Sequence, residues 1–120
     1  MRYDNLPIYK SALNLCVYCE TIVKSFDKYH KYTLGEDLRT FSKRVLFLIH
    51  RANISTQRKE ILENLKNSCE DLKMLINLTK ELKAFKSFNQ FETISKLTIE
   101  VCRQAQGWFN ASNKNARVLK

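Results

Sequence analysis

The chain has 120 residues, 44% of them hydrophobic, with only two glycines and one proline. That length fits one domain able to build its own core, and so few turn-forming residues exclude a sheet protein with many tight reversals. A formal charge of +9, from 21 Lys and Arg against 12 Asp and Glu, favours polyanionic partners over acid–base catalysis, which needs carboxylates or histidines gathered in a cleft.

The longest purely apolar run, Val45 to Ile49, is far short of the ~20 residues that span a bilayer. Met1 to Asn5 lack the apolar core of a signal peptide. The expectation is a soluble, cytoplasmic protein without membrane contact, its four cysteines reduced.

The predicted elements begin with a helix over about 6–28, opened by Pro7, whose missing N–H would be unpaired in a first turn anyway. Ile8, Ala12, Leu15, Cys19, Ile22 and Phe26 recur along one stripe of it. Thr33 and Glu36 read as a capping box for a second helix over 34–54, with Leu34, Leu38, Phe41, Val45, Leu48 and Ala52 inward. Ser55 reads as the N-cap of a third helix over 56–83, carrying Leu62, Leu65, Cys69, Leu72 and Ile76. Ser87 and Gln90 make a second capping box for a fourth helix over 88–110, with Phe91, Ile94, Thr98, Val101, Ala105 and Trp108 inward. Residues 111–120 are expected to be a frayed, basic tail. Short connections between long helices imply an all-α, antiparallel up-down-up-down four-helix bundle in a single domain.

One bundle core does not use every large apolar residue. Leu46 and Phe47 fall outside the second helix's stripe, and Leu75, Leu78 and Leu82 make the second half of the third helix apolar nearly all round. These five residues predict contacts between subunits, with a covering loop or tail as the alternative.

The charges are uneven. Residues 38 to 59 hold Arg39, Lys43, Arg44, Arg51, Arg58 and Lys59 without one Asp or Glu. Val101 to Lys120 is also acid-free, with Arg103, Lys114, Arg117 and Lys120. The first group, with His50 beside it, is the candidate surface for phosphates or an acidic partner. On such a surface, backbone contacts would position nucleic acid without reading much of its sequence.

Other motifs fit chemistry less well. Cys16 and Cys19 form a C-x-x-C, and Cys69 and Cys102 fall near the same height, but the pair is mid-helix and reads better as buried small hydrophobes than as zinc ligands. Asp27 and His30 occur once, without the inward carboxylates of a di-iron bundle. No phosphate loop, nucleophile motif or catalytic constellation stands out, so neither enzyme activity nor a cofactor is expected.

Lys31-Tyr32-Thr33-Leu34-Gly35-Glu36-Asp37-Leu38-Arg39, followed by Ile49-His50-Arg51-Ala52-Asn53, resembles the accessory variability determinant proteins of diversity-generating retroelements. Those belong with the four-helix bundles encoded in 23S ribosomal RNA intervening sequences. His50 to Ile54 departs from the small-residue ending of the ribosomal branch and favours the retroelement branch. The resemblance implies a basic pentameric barrel, a homo-oligomer that associates with a reverse transcriptase and with RNA or DNA. It implies support for mutagenic copying of a template repeat, without polymerase activity of its own. Only Arg39 and Arg51 carry over from it as individual residues. The rival expectation is a structural or protein-interaction bundle whose charge serves solubility.

Overall fold

A computed structural model of the chain describes residues 6–118, and the side chains of 6–113. Its helices are α1 (Pro7–Val23), α2 (Lys28–Lys31), α3 (Leu34–Ile54), α4 (Arg58–Glu81) and α5 (Phe88–Val118), and the described residues contain no strand. Each long helix touches two others: α3 lies against α1 and α4, and α5 against α4 and α1. The four close into a bundle measuring 53 × 24 × 21 Å.

The bundle closes because each long helix carries one continuous apolar stripe. Leu15, Leu38, Leu62, Leu65, Leu72, Ile76, Ile94 and Val101 are almost wholly withdrawn from solvent. Thr79 and Thr98 are buried too, and their hydroxyls donate to the Leu75 and Ile94 carbonyls one turn back, at 2.7 and 2.8 Å. No buried donor is thereby left unpaired at those two positions.

The α3 stripe is rotated from its expected position. Ser42 and Ile49 face the core, while Phe41 and Leu48 are only half-buried. The cause lies at the α1–α3 contact, which is tight. A Cβ on Gly35 would come 2.6 Å from Val23 Cγ1 and 3.2 Å from the His30 carbonyl oxygen. Small residues must line this approach, so Ser42 turns inward with its hydroxyl donating to the Arg39 carbonyl at 3.1 Å. Phe41 and Leu48 then swing toward the outer side of α4.

Helix ends differ from expectation for local reasons. α1 stops at Val23 rather than near residue 28, because Ser25 turns its hydroxyl onto the Ile22 carbonyl at 2.6 Å. The reversal brings Phe26 into the core, edge-on to Phe85 with centroids 5.7 Å apart. The Thr33–Glu36 capping box does not form. The preceding α2 turn offers the Tyr29 carbonyl, to which Thr33 donates at 2.8 Å, and Glu36 pairs with Arg39.

Ser55 is not the N-cap of α4 either. Its hydroxyl oxygen accepts from the Gln57 N–H at 2.9 Å in a local turn, and the helix begins at Arg58. The Ser87 box is partly as expected, with Gln90 N–H donating to Ser87 at 3.2 Å and the Gln90 side-chain oxygen accepting from the Lys86 N–H.

α4 closes at Glu81 with Lys83 in the left-handed region (φ 59°), and the Ala84 N–H reaches the Thr79 carbonyl at 3.1 Å. The expected frayed tail is instead helical through Val118. No proline interrupts it, and an i,i+4 amide bond from Gln106 to Asn110, 2.9 Å long, supports the extra turns. The side chains of Lys114 and Arg117, and all of Lys120, lie outside the described residues.

Candidate functional site

Rotation of α3 opens a groove along its seam with α4. One wall is the α3 stripe Thr40, Lys43, Arg44, Phe47, Leu48 and Arg51. The other is Asn64, Asn67 and Ser68 of α4, and the cavity between them is about 640 Å³. The α3 residues follow at steps of three and four, so a straight helix presents them as one stripe. None of the lining residues is acidic.

Three of the expected basic residues meet here. Lys43, Arg44 and Arg51 are exposed, and the Arg44 guanidinium lies 5.0 Å from the centroid of the Phe41 ring. Arg51 has no ion pair among the described residues. Phe47 stands among these cations with 57% of its surface exposed.

The other expected site residues sit elsewhere. Arg39 faces α1, where its Nε donates to Glu20 at 2.8 Å and its Nη1 to Glu36 at 3.2 Å. The hydrogen bond that Arg39 donates to Glu20, and then the charge of that carboxylate, hold the Arg39 pKa above its ordinary value. Lys43 stands between the two seams, 3.9 Å from Glu20. His50 is half-buried, and its helical register places it with Arg39 rather than with Arg51. Arg58 folds back over the end of α3, donating to the Ala52 and Asn53 carbonyls at 2.8 and 3.2 Å, with Trp108 5.9 Å away. It closes a helix end. Lys59 is exposed and does not line the groove.

Cations on the remaining seams are also engaged. Lys66 and Lys80 lie over Phe109 and Phe91 at 4.0 and 4.7 Å, and Arg103 pairs with Glu100 at 2.6 Å. The groove is distinguished by a lining without a carboxylate, on which three exposed cations converge.

Among the five apolar residues expected at subunit contacts, Leu75 turns out to be buried within the subunit, 8% exposed, and Leu46 is half-buried against the core. Leu75 is one of the buried residues of α4 and lies beside Phe41 on the α3 side of that helix. Leu78 and Leu82 are about half-exposed, and Met74 is 71% exposed. Phe41, Asp71, Met74, Leu75 and Leu78 line a shallow apolar hollow next along the same seam.

The thiols are not gathered for ligation. Burial pushes the Cys19 thiol up to about 12, while a hydrogen bond to Cys102 and then burial raise Cys69. No group of three or more His, Cys, Asp or Glu side chains among the described residues is placed to hold a metal ion. Among the described residues, no helix is long and apolar enough to cross a membrane.

Sequence reasoning missed Asn64, Asn67 and Ser68. Their signal was a neutral polar strip in a helix otherwise patterned with Lys and Glu, and it meant little until α3 was rotated into place opposite.

A comparison with curated proteins found no match. A family model described as bAvd-like does match, over residues 8–112. That span starts at the second residue of α1, takes in both walls of the groove and ends within α5. With nearly the whole bundle matched, the chain belongs to the bAvd-like family.

Proposed function

We propose that this chain is a non-catalytic accessory factor of a diversity-generating retroelement, binding the element's reverse transcriptase and its template RNA during mutagenic copying. It works in the cytoplasm as a homo-oligomer, a pentameric barrel of bundles with successive helices antiparallel. The link from Gln90 at the start of α5 to Ser25 just past the end of α1, 3.1 Å long, and the one from Gln104 midway along α5 to Ser11 near the start of α1, 2.9 Å long, support that helix order. Met74, Leu78 and Leu82, with Phe41 beside the first two, supply the apolar contact between copies. Phe47 lines the cationic groove and is assigned there.

The observation that carries this reading is the gathering of Lys43, Arg44 and Arg51 along one groove without an acidic residue in its lining. Three fixed cations on a rigid helix suit the phosphates of a nucleic-acid strand, which release counterions as they bind. Arg39 steadies α3 through its link to α1, Arg58 closes the end of that helix, and Lys59 adds positive potential at the end of the seam.

The test is RNA binding by the Lys43→Ala/Arg44→Ala/Arg51→Ala variant at several salt concentrations. The slope of log affinity against log salt should become shallower by about 2 units, at roughly 0.7 per phosphate contact on a single strand. Unchanged affinity with helicity intact removes the phosphate role. Native mass spectrometry of the chain, alone and co-expressed with a reverse transcriptase of a diversity-generating retroelement, checks the ring and the polymerase partnership.

A further inference from the structure

The groove contains more than phosphate binding requires. A phosphate needs Lys43, Arg44 and Arg51, but nothing in it makes use of an apolar ring. Yet Phe47 stands 57% exposed between those cations, with Leu48 beside it and Asn64 and Asn67 opposite. Neither amide has a hydrogen-bond partner among the described residues, so both keep a donor and an acceptor available.

Charge decides between the occupants an exposed aromatic could have. A second copy of this chain carries +9 itself and would meet three cations there. The apolar hollow beyond Phe41, where Asp71 stands, is better suited to a copy. The groove suits an anion with a flat apolar face and a polar edge.

A duplex hides its base faces in the stack and offers the groove only phosphate and sugar. An unpaired strand offers all three surfaces at once. The cavity of about 640 Å³ falls in the roughly 300–1,000 Å³ range of sites that hold a small organic ligand, and an unpaired nucleotide is within that size.

We infer that the α3–α4 groove is a subsite for an unpaired nucleotide of a single-stranded nucleic acid. Its base lies against Phe47, its edge meets Asn64 or Asn67, and its phosphates meet Lys43, Arg44 and Arg51. This deepens the proposed function and rests on it. It makes the chain a holder of single strands, with contacts to the base as well as to the backbone.

The experiment uses the full chain with three probes of equal length: a single-stranded RNA, the same strand with abasic sites at its centre, and a blunt RNA duplex. The wild type should bind the intact strand about tenfold more tightly than the abasic one, within the range of base–aromatic stacking. Phe47→Leu should erase that difference without changing the salt slope, and Phe47→Trp should restore it. Phe47 is exposed, so circular dichroism should show all of these variants folded.

Equal binding of the intact and abasic strands, with the salt slope in place, overturns the base subsite and leaves the phosphate reading standing. Preference for the duplex over the single strand overturns it as well. If no probe binds at physiological salt, the proposed function fails first and the subsite with it. Sedimentation supplies the remaining check: an assembly that falls apart in Phe47→Leu would make this face a contact between copies and would overturn the inference.

Discussion

Arg39 and Arg51 belong to the same helix and the same acid-free stretch, yet they have opposite surroundings. On the α1 side of α3 the contact is tight, with Gly35 and Ser42 against the neighbouring helix, and Arg39 is held by Glu20 and Glu36. On the α4 side Phe41 and Leu48 are partly buried, and Lys43, Arg44 and Arg51 line an open groove facing Asn64 and Asn67. The fate of a cation is decided by the helix across the seam, which its own stretch of sequence does not specify. Alpha-1 supplies a carboxylate opposite Arg39, whereas α4 supplies amides opposite Arg44 and Arg51.

The sharpest way to break this comparison is to remove cations from one seam and then from the other. Losing Lys43, Arg44 and Arg51 together should weaken RNA binding by about 100-fold at 0.1 M salt, with the difference shrinking toward 1 M. Arg39→Ala should change it by less than threefold, because that guanidinium is already neutralised by its neighbours. Fluorescence anisotropy on both variants at matched salt separates these outcomes, and equal losses would erase the distinction between the seams.

The tight seam can be attacked through its packing. Gly35→Ala places a methyl group 2.6 Å from Val23 Cγ1, close to a backbone oxygen that cannot move aside cheaply. Overpacking should outweigh the ~1 kcal/mol that alanine gains in a helix, leaving a net loss of about 1–2 kcal/mol and a melting point lower by a few degrees. Gly107→Ala is the control. A Cβ there meets nothing within 4 Å, so the substitution should stabilise α5. Thermal denaturation followed by circular dichroism reads both.

Arg58 tests whether a cation at the end of the seam belongs to the fold or to binding. Its guanidinium closes the Ala52 and Asn53 carbonyls, so Arg58→Ala should lower stability by about 1 kcal/mol and leave the RNA salt slope within error of wild type. Urea unfolding and the same anisotropy titration provide the two measurements.

Helices were legible wherever one stripe of residues left no choice. Leu62, Leu65, Cys69, Leu72 and Ile76 of α4 are all buried, as their spacing predicts. In α3 the pattern was ambiguous, because Phe41 or Ser42, and Leu48 or Ile49, complete an equally regular stripe. Hydrophobicity favours Phe41 and Leu48, but close approach at Gly35 selects the other pair, and that is a property of two helices together. The capping signals failed for a related reason. Thr33 and Ser55 found nearer local partners, which spacing alone does not rank. The basic residues of the groove could be read from α3, but its opposite wall could not, since Asn64 and Asn67 carry no strong pattern of their own.

The smallest effect bears on where the boundary between the seams lies. Lys43 lines the groove and also stands 3.9 Å from Glu20, which accepts from Arg39 at 2.8 Å. Glu20→Gln therefore removes the one carboxylate shared by both cations. Stability should fall only slightly, because these side chains are partly exposed and pairs of that kind contribute little. RNA affinity should rise, by at most about fivefold at 0.1 M salt, if Lys43 gains one full phosphate contact. Adding Lys43→Ala to Glu20→Gln should cancel that rise, whereas adding Arg39→Ala should not. If Arg39→Ala cancels it instead, the guanidinium released from Glu20 has reached the strand, and the α1 seam is a second binding edge that Glu20 holds in check.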